Sequence, residues 1–157
     1  MSTLHVIFTV GDAQYVLPAS DVLEMESYAG ATRVPGTPPY VAGLVQVRGK
    51  VIPVVDLRRR FGLPDVERGL GARIVVVEHG ERRVGLLADA AREVVQLAPS
   101  QFSAPPEVLK ERAAGWVDAV AQAGDRLLMR LDFTKVIARD DLPEVGDGTQ
   151  GQQPAAR

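Results

Sequence analysis

"GLVQVRGKVIPVVDL", residues 43–57, is the stretch on which the reading of the fold turns. Two apolar runs flank a tight Arg48-Gly49-Lys50, and short β-branched runs broken by such a turn predict a hairpin over 41–47 and 51–57. Pro53 lies inside the second run. It cannot donate a ladder hydrogen bond, which predicts an edge strand or a bulge there. The run ends on Asp56, an acid at the position where a carboxylate commonly holds turn backbone. A catalytic acid beside a basic residue is the competing reading.

The same pattern continues outward in both directions. Leu4, Val6, Phe8 and Val10 alternate with Thr3, His5, Ile7 and Thr9 in a first strand, and Tyr15-Val16-Leu17 returns after the turn "GDAQ" (11–14). Residues 18–21 suit a single helical turn, with Ser20 and Asp21 as N-cap types. "VLEMESY" (22–28) alternates again, and the proline-bearing 30–40 reads as a loop. Beyond the polar connector 62–72, strands are expected over 73–78, 82–89, 92–97, 116–121 and 126–131. Asp132 is expected to cap a short helix, with Phe133, Val136 and Ile137 on one stripe. Periodicity ends near Asp140, so 140–157 reads as a disordered tail.

These elements predict a mostly β protein: two packed five-stranded SH3-like β-barrel subdomains with a short C-terminal helix. The domain covers 1–139 as two interleaved barrel subdomains, with a boundary near 62–72. The halves echo each other, an apolar hairpin ending in an acid in each (Asp56, Asp89). Barrels of this size are marginal alone, so a core shared between them is expected.

Composition excludes several classes of function. The 157 residues carry 46% hydrophobic side chains and 18 basic against 20 acidic residues, a globular chain without the basic face that nucleic-acid binding needs. Aromatics do not alternate with basic residues, so a single-strand-binding surface has little support. Arg58-Arg59-Arg60 reads as a solvated basic run. With no cysteine, thiolate metal sites, disulfides and thiol nucleophiles are out. No stretch has the length of a transmembrane helix or the form of a signal peptide, so the expected location is the cytoplasm without direct membrane insertion. The histidines, His5 and His79, fit no metal or catalytic spacing, and no phosphate-binding glycine motif is present. Asp56 and Asp89 remain as the one possible carboxylate pair. The reading is a non-enzyme with no cofactor and no metal.

What remains is a docking surface. Arg48, at the hairpin tip, either points into water or reaches an acid on a neighbouring strand. Glu24 is the nearest candidate by pattern, if its strand lies beside the hairpin. A partly buried Arg–Glu pair adds little net stability, so its use would be to fix the hairpin at a binding surface.

"TPPYVAGLVQVRGKVIPVVDLRRRFGL" resembles the signature of the CheW family, the adaptors of bacterial chemosensory arrays. "HVIFTVGDAQYVLPASDVLEM", "RRVGLLADAAREVVQL" and "AGDRLLMRLDFTKVI" extend the likeness in register over nearly the whole chain. The resemblance implies no catalysis. It implies two partners, the cytoplasmic tip of a chemoreceptor and the regulatory domain of a CheA-type histidine kinase, and association with receptor arrays at the inner membrane. By matching position it places Val22, Glu24, Gly43, Arg48 and Val94 toward the receptor, around a groove between subdomains. Gly49, Lys50 and Ile52 are expected toward the kinase. Gln46-Val47 replaces the family's Asn-Leu, and Ala119 and Ala121 stand where glycines are usual. These departures leave open a variant that binds receptor but not kinase.

Overall fold

A computed structural model describes residues 1–108, 115–137 and 142–143. Eleven strands are present among them: β1 (Thr3–Val10), β2 (Ala13–Pro18), β3 (Val22–Ser27), β4 (Val41–Val47), β5 (Lys50–Asp56), β6 (Arg73–His79), β7 (Arg82–Ala88), β8 (Ala90–Leu97), β9 (Phe102–Ser103), β10 (Val117–Ala123) and β11 (Arg126–Leu131). Two one-turn helices follow β5 and β11, α1 (Leu57–Arg60) and α2 (Phe133–Val136). A 3-10 turn over Ala19–Asp21 follows Pro18; it forms where expected, but no side chain caps it.

The strands form two sheets, ordered β3-β6-β7-β5-β4 and β8-β1-β2-β11-β10-β9. Five full strands build each, and the sixth strand of the second sheet, β9, has two residues. The connector 62–72 does not separate the two sheets. The N-terminal hairpin β1-β2 joins β8–β11, and β6-β7, which lie beyond the connector, join β3–β5. The chain changes sheet after the turn at Ala19–Asp21 and again at Asp89. A Gly/Pro-bearing connector looks the same in sequence whether it links domains or, as here, two strands of one sheet.

A repeat exists, but not between sequential halves. In the first sheet β3, β6 and β7 are antiparallel neighbours, β7 pairs parallel with β5, and β5 pairs antiparallel with β4. In the second, β8, β1, β2, β11 and β10 repeat that scheme, with β2–β11 as the parallel step. One subdomain is therefore a circular permutation of the other. In this correspondence Asp56 matches Asp132 and not Asp89, because each of the first two stands at the end of the equivalent parallel-paired strand, β5 or β11, and caps a one-turn helix.

Three apolar clusters follow from this topology. Val47, Ile52, Val54, Ile74 and Val76 fill the five-stranded subdomain, and Ile7, Val16, Leu97, Ala121 and Leu128 fill the other. The largest lies between the sheets and combines Phe8, Val10 and Leu17 with Val55, Val75, Val77 and Leu86, closed by Leu57, Val136 and Ile137 from the helices. The shared core is thus present. Strands facing it are buried on both sides, which explains near-continuous apolar runs such as Val54-Val55, one residue to each core. Leu142, inside the segment expected to be disordered, is 7% exposed and packs into the central core, while Arg82 donates to the Pro143 carbonyl at 2.5 Å. The rest of the expected tail, 140–141 and 144–157, lies outside the described residues.

Candidate functional site

The hairpin of residues 43–57 turns through two residues, with Val47 facing Lys50 in the ladder. Arg48 (φ 51) and Gly49 (φ 82) both take left-handed conformations, the requirement of a type I′ turn whose twist matches the flanking strands. Among the described residues Arg48 is the one non-glycine with positive φ. Its guanidinium Nε donates to Glu24 Oε1, with Glu26 Oε2 at 3.6 Å. That hydrogen bond, and then the charge of Glu24, raise the arginine pKa further, so the cation is permanent.

Glu24 does not reach Arg48 from an adjacent strand. β3 pairs with β6 and stands at the opposite end of its sheet from β4. The sheet curls until its two ends meet, and the Arg48–Glu24 pair spans the seam that no ladder closes. A cleft of about 140 Å³ opens along that seam, lined in part by Glu26, Gln46, Val47 and Ile74. The other subdomain curls in a similar way, with Arg126 on β11 donating to Glu93 on β8 at 2.9 Å.

Pro53 corrects another expectation. Its strand is internal, between β4 and β7, and the proline is buried. Parallel pairing with β7 begins only at Val54, so the Lys50–Pro53 half of β5 is flanked by β4 alone. The missing N–H is tolerated because the second neighbour starts one residue later.

Cross-strand partners share a sheet face, which sorts the expected receptor set. Val94 faces Val6, Val6 faces Leu17, and Leu17 belongs to the central core. Val94 is 55% exposed, and Leu4, two residues before Val6, is 48% exposed. Both therefore sit on the rim of the inter-subdomain core. Across from them Val22 faces Val77 and Met25 faces Val75, again partners from the central core. Glu24 and Glu26 face Val76 and Ile74 instead, on the inner side of the five-stranded subdomain. Val22 and Val94 thus border the groove, while Arg48 and Glu24 pin the strand that carries one of its walls. Met25 and Leu4 join the rim and were not singled out by pattern, because alternation alone does not say which core a face meets.

Gly43 has a different role. It is buried with φ +141, and a Cβ there would lie 2.2 Å from the Thr32 carbonyl oxygen. The loop strand at Thr32 bonds Leu44 in both directions at this point, N–H to O distances being 2.9 and 2.8 Å. Gly43 therefore admits a backbone crossing and offers no surface. Among the residues expected toward the kinase, Gly49 and Lys50 are exposed at the hairpin tip. Ile52 is 3% exposed inside the first subdomain, because its alternation places it in that core.

The two acids and the arginine run are the largest departure from the sequence reading. Asp56 Oδ1 accepts from the Arg58 and Arg59 amides at 3.0 and 3.4 Å and from Arg68 at 2.6 Å. Arg68 also donates to Asp89, whose other oxygen accepts from Arg58 at 2.7 Å and the Gly11 amide at 2.8 Å. The two carboxylates are acceptors in one arginine-bridged network, which answers the paired-acid reading and confirms that Asp56 holds strand-end backbone. Nor is the run Arg58–Arg60 solvated. Arg59 forms a two-pronged pair with Asp65, which holds that exposed carboxyl below its usual pKa. Arg60 donates to the Val136 carbonyl at 2.8 Å and lies over the rings of Tyr40 and Trp116 at 4.3 and 5.1 Å. Charge counting could not find these partners, because Tyr40, Asp65, Asp89, Trp116 and Val136 come from five separate segments of the chain.

Among the described residues no cluster of three or more His, Cys, Asp or Glu side chains could hold a metal, and no helix is long and apolar enough to cross a membrane. His5 is buried, its Nδ1 3.2 Å from the Thr3 carbonyl oxygen and its ring 5.4 Å from that of Phe102.

Comparison with known proteins bears on this geometry. Residues 4–141 match the family model of the CheW-like domain. The chain is 30% identical over 135 residues to the chemotaxis protein CheW of Bacillus subtilis, covering 86% of each chain. It is 31% identical over 133 residues to that of Helicobacter pylori, covering 85% of this chain and 80% of the relative. The crystal structure of the scaffolding protein TtCheW from Thermoanaerobacter tengcongensis superposes with a TM-score of 0.79 at 29% identity, covering 87% of this chain and 92% of that one.

Proposed function

The chain belongs to the CheW-like domain family, and from that premise we propose that it is a non-enzymatic adaptor. It couples the cytoplasmic tip of a chemoreceptor to the regulatory domain of a CheA-type histidine kinase, in the cytoplasm at a receptor array on the inner membrane. The observation that carries this reading is the apolar rim of the central core. Val94 and Leu4 on one wall, Val22 and Met25 on the other, leave apolar side chains in water at the edge of an otherwise closed core. Such an exposed apolar rim between two sheets is a docking surface, here assigned to the receptor tip. The relatives named above support the chemotaxis role, since they carry it in their names. Arg48 and Glu24 act by fixing β3. Gly49 and Lys50, exposed at the tip of the neighbouring hairpin, are assigned to the kinase, and buried Ile52 supports that corner from within.

The second reading is a variant that binds receptor without kinase. Ala119 and Ala121, two of the departures that favour it, are buried in the second subdomain and touch no partner directly. Gln46 is exposed on β4 beside the hairpin tip and is the departure able to alter a contact. Co-sedimentation with receptor fragments and kinase separates the two. A ternary complex is expected; receptor-only binding selects the variant, and binding to neither overturns both.

A further inference from the structure

At the margin of the shared core the two subdomains also meet through a small set of equivalent positions. Tyr40 precedes β4 and its carbonyl accepts from the Asp56 amide at 2.7 Å; Trp116 precedes β10 and its carbonyl accepts from the Asp132 amide at 2.6 Å. These aromatics and their acids correspond in the permuted repeat, as do α1 and α2. Counted from the caps, Arg60 corresponds to Val136. Arg60 thus bonds the carbonyl of its own counterpart and lies over both equivalent aromatic rings. Beyond it runs a column of rings, Trp116–Phe61 and Phe61–Tyr15 both at 5.3 Å and Tyr15–Phe8 at 5.8 Å. The second crossing of the chain between sheets is equally restrained. The Asp89 amide donates to the Thr9 carbonyl, and its carboxylate holds the Gly11 amide of the second subdomain and Arg58 of the first. Among the described residues, the Arg59 guanidinium bonds or pairs with Pro39, Asp56 and Asp65, all of its own subdomain.

We propose that Arg58 and Arg60 are positioning residues that lock the angle between the two subdomains, Arg58 through the Asp89 crossing and Arg60 through α2 and Trp116. The lock sets the spacing of the groove walls that carry Val22 and Val94. This second step rests on the receptor-binding reading above; the lock itself does not. The Arg60 contacts join groups on opposite sides of the junction, and Arg58 holds the crossing residue Asp89, whose carboxylate also holds the Gly11 amide of the second subdomain, while Arg59 stays within its own. The apolar core alone is non-directional and permits small rotations of one sheet on the other, whereas directed hydrogen bonds and a stacked guanidinium do not.

The test uses the natural absence of cysteine. Spin labels at Glu78→Cys and Gln122→Cys, both exposed and one on each subdomain, report the inter-subdomain distance in the isolated protein. Wild type and Arg59→Gln are expected to give one narrow distribution, and Arg58→Gln with Arg60→Gln a broadened one. If the competent orientation falls to about a tenth, the apparent Kd for a receptor fragment rises about tenfold. Circular dichroism and thermal melting establish that each variant is folded, and Arg60→Lys, which keeps charge but not the planar contact, is expected to fall between. An unchanged distribution in the folded double variant overturns the lock. A broadened distribution with unaltered receptor affinity overturns its link to the groove. If wild type itself does not bind receptor while the double variant broadens, the lock stands and the receptor reading fails.

Discussion

Arg48 occupies a backbone region that most side chains avoid, in a turn that asparagine-glycine would form with less strain. Its ion pair with Glu24 is exposed on the arginine side, and exposed pairs add little to stability. The residue is therefore better explained by placement of β3 than by folding. Arg48→Asn is expected to leave the melting temperature within about 2 °C of wild type, or to raise it, while weakening co-sedimentation with receptor. Glu24→Ala is expected to act in the same direction on binding with the fold intact, as read by circular dichroism. Unfolding by either change would make the pair structural. Gly43 is the opposite case. Gly43→Ala forces a Cβ into the Thr32 carbonyl at positive φ and should destabilise by about 2–4 kcal/mol in chemical denaturation. The sequence marks both residues as special, but only the structure separates a strained exposed arginine from a buried crossing glycine.

At the scale of elements, α1 is too short to persist by itself and depends on its cap and its tertiary partners. Asp56 supplies the cap and neutralises Arg68 in a setting where it is 7% exposed. Asp56→Ala leaves a partly buried guanidinium short of a partner and should cost about 3 kcal/mol or more in urea unfolding. Asp56→Asn keeps a capping oxygen and should cost clearly less. The strands other than the two-residue β9, the hairpin turns and both capping aspartates were legible from alternation and turn chemistry, because these depend on residues close in sequence. Pairing was not. The placement of β3 beside β6, the internal position of Pro53 and the partners of the arginine run depend on which strands meet, and no local pattern encodes that.

For the whole molecule, the junction between subdomains carries an aromatic group whose titration burial shifts. Tyr15 lies in the ring column and desolvation raises its pKa above the ordinary 10.0. The folded state therefore keeps the phenol proton longer than the unfolded chain does. Its contribution to stability is full below about pH 10 and is lost as pH rises through the raised value. Unfolding midpoints taken between about pH 9 and 11.5 should fall for wild type, and Tyr15→Phe should remove part of that fall. The sequence by itself determined a mostly β chain with paired barrels and a shared core, since apolar period, turn residues and chain length limit how such strands can be buried. Its motif pattern also pointed to the family. The tertiary structure alone decided that one subdomain is a permutation of the other, that the seam of the first is spanned by Arg48 and Glu24, and that Arg58, Arg60 and Asp89 join the two. Those features arise from contacts between residues tens of positions apart, whose meeting is set by sheet closure and parallel pairing.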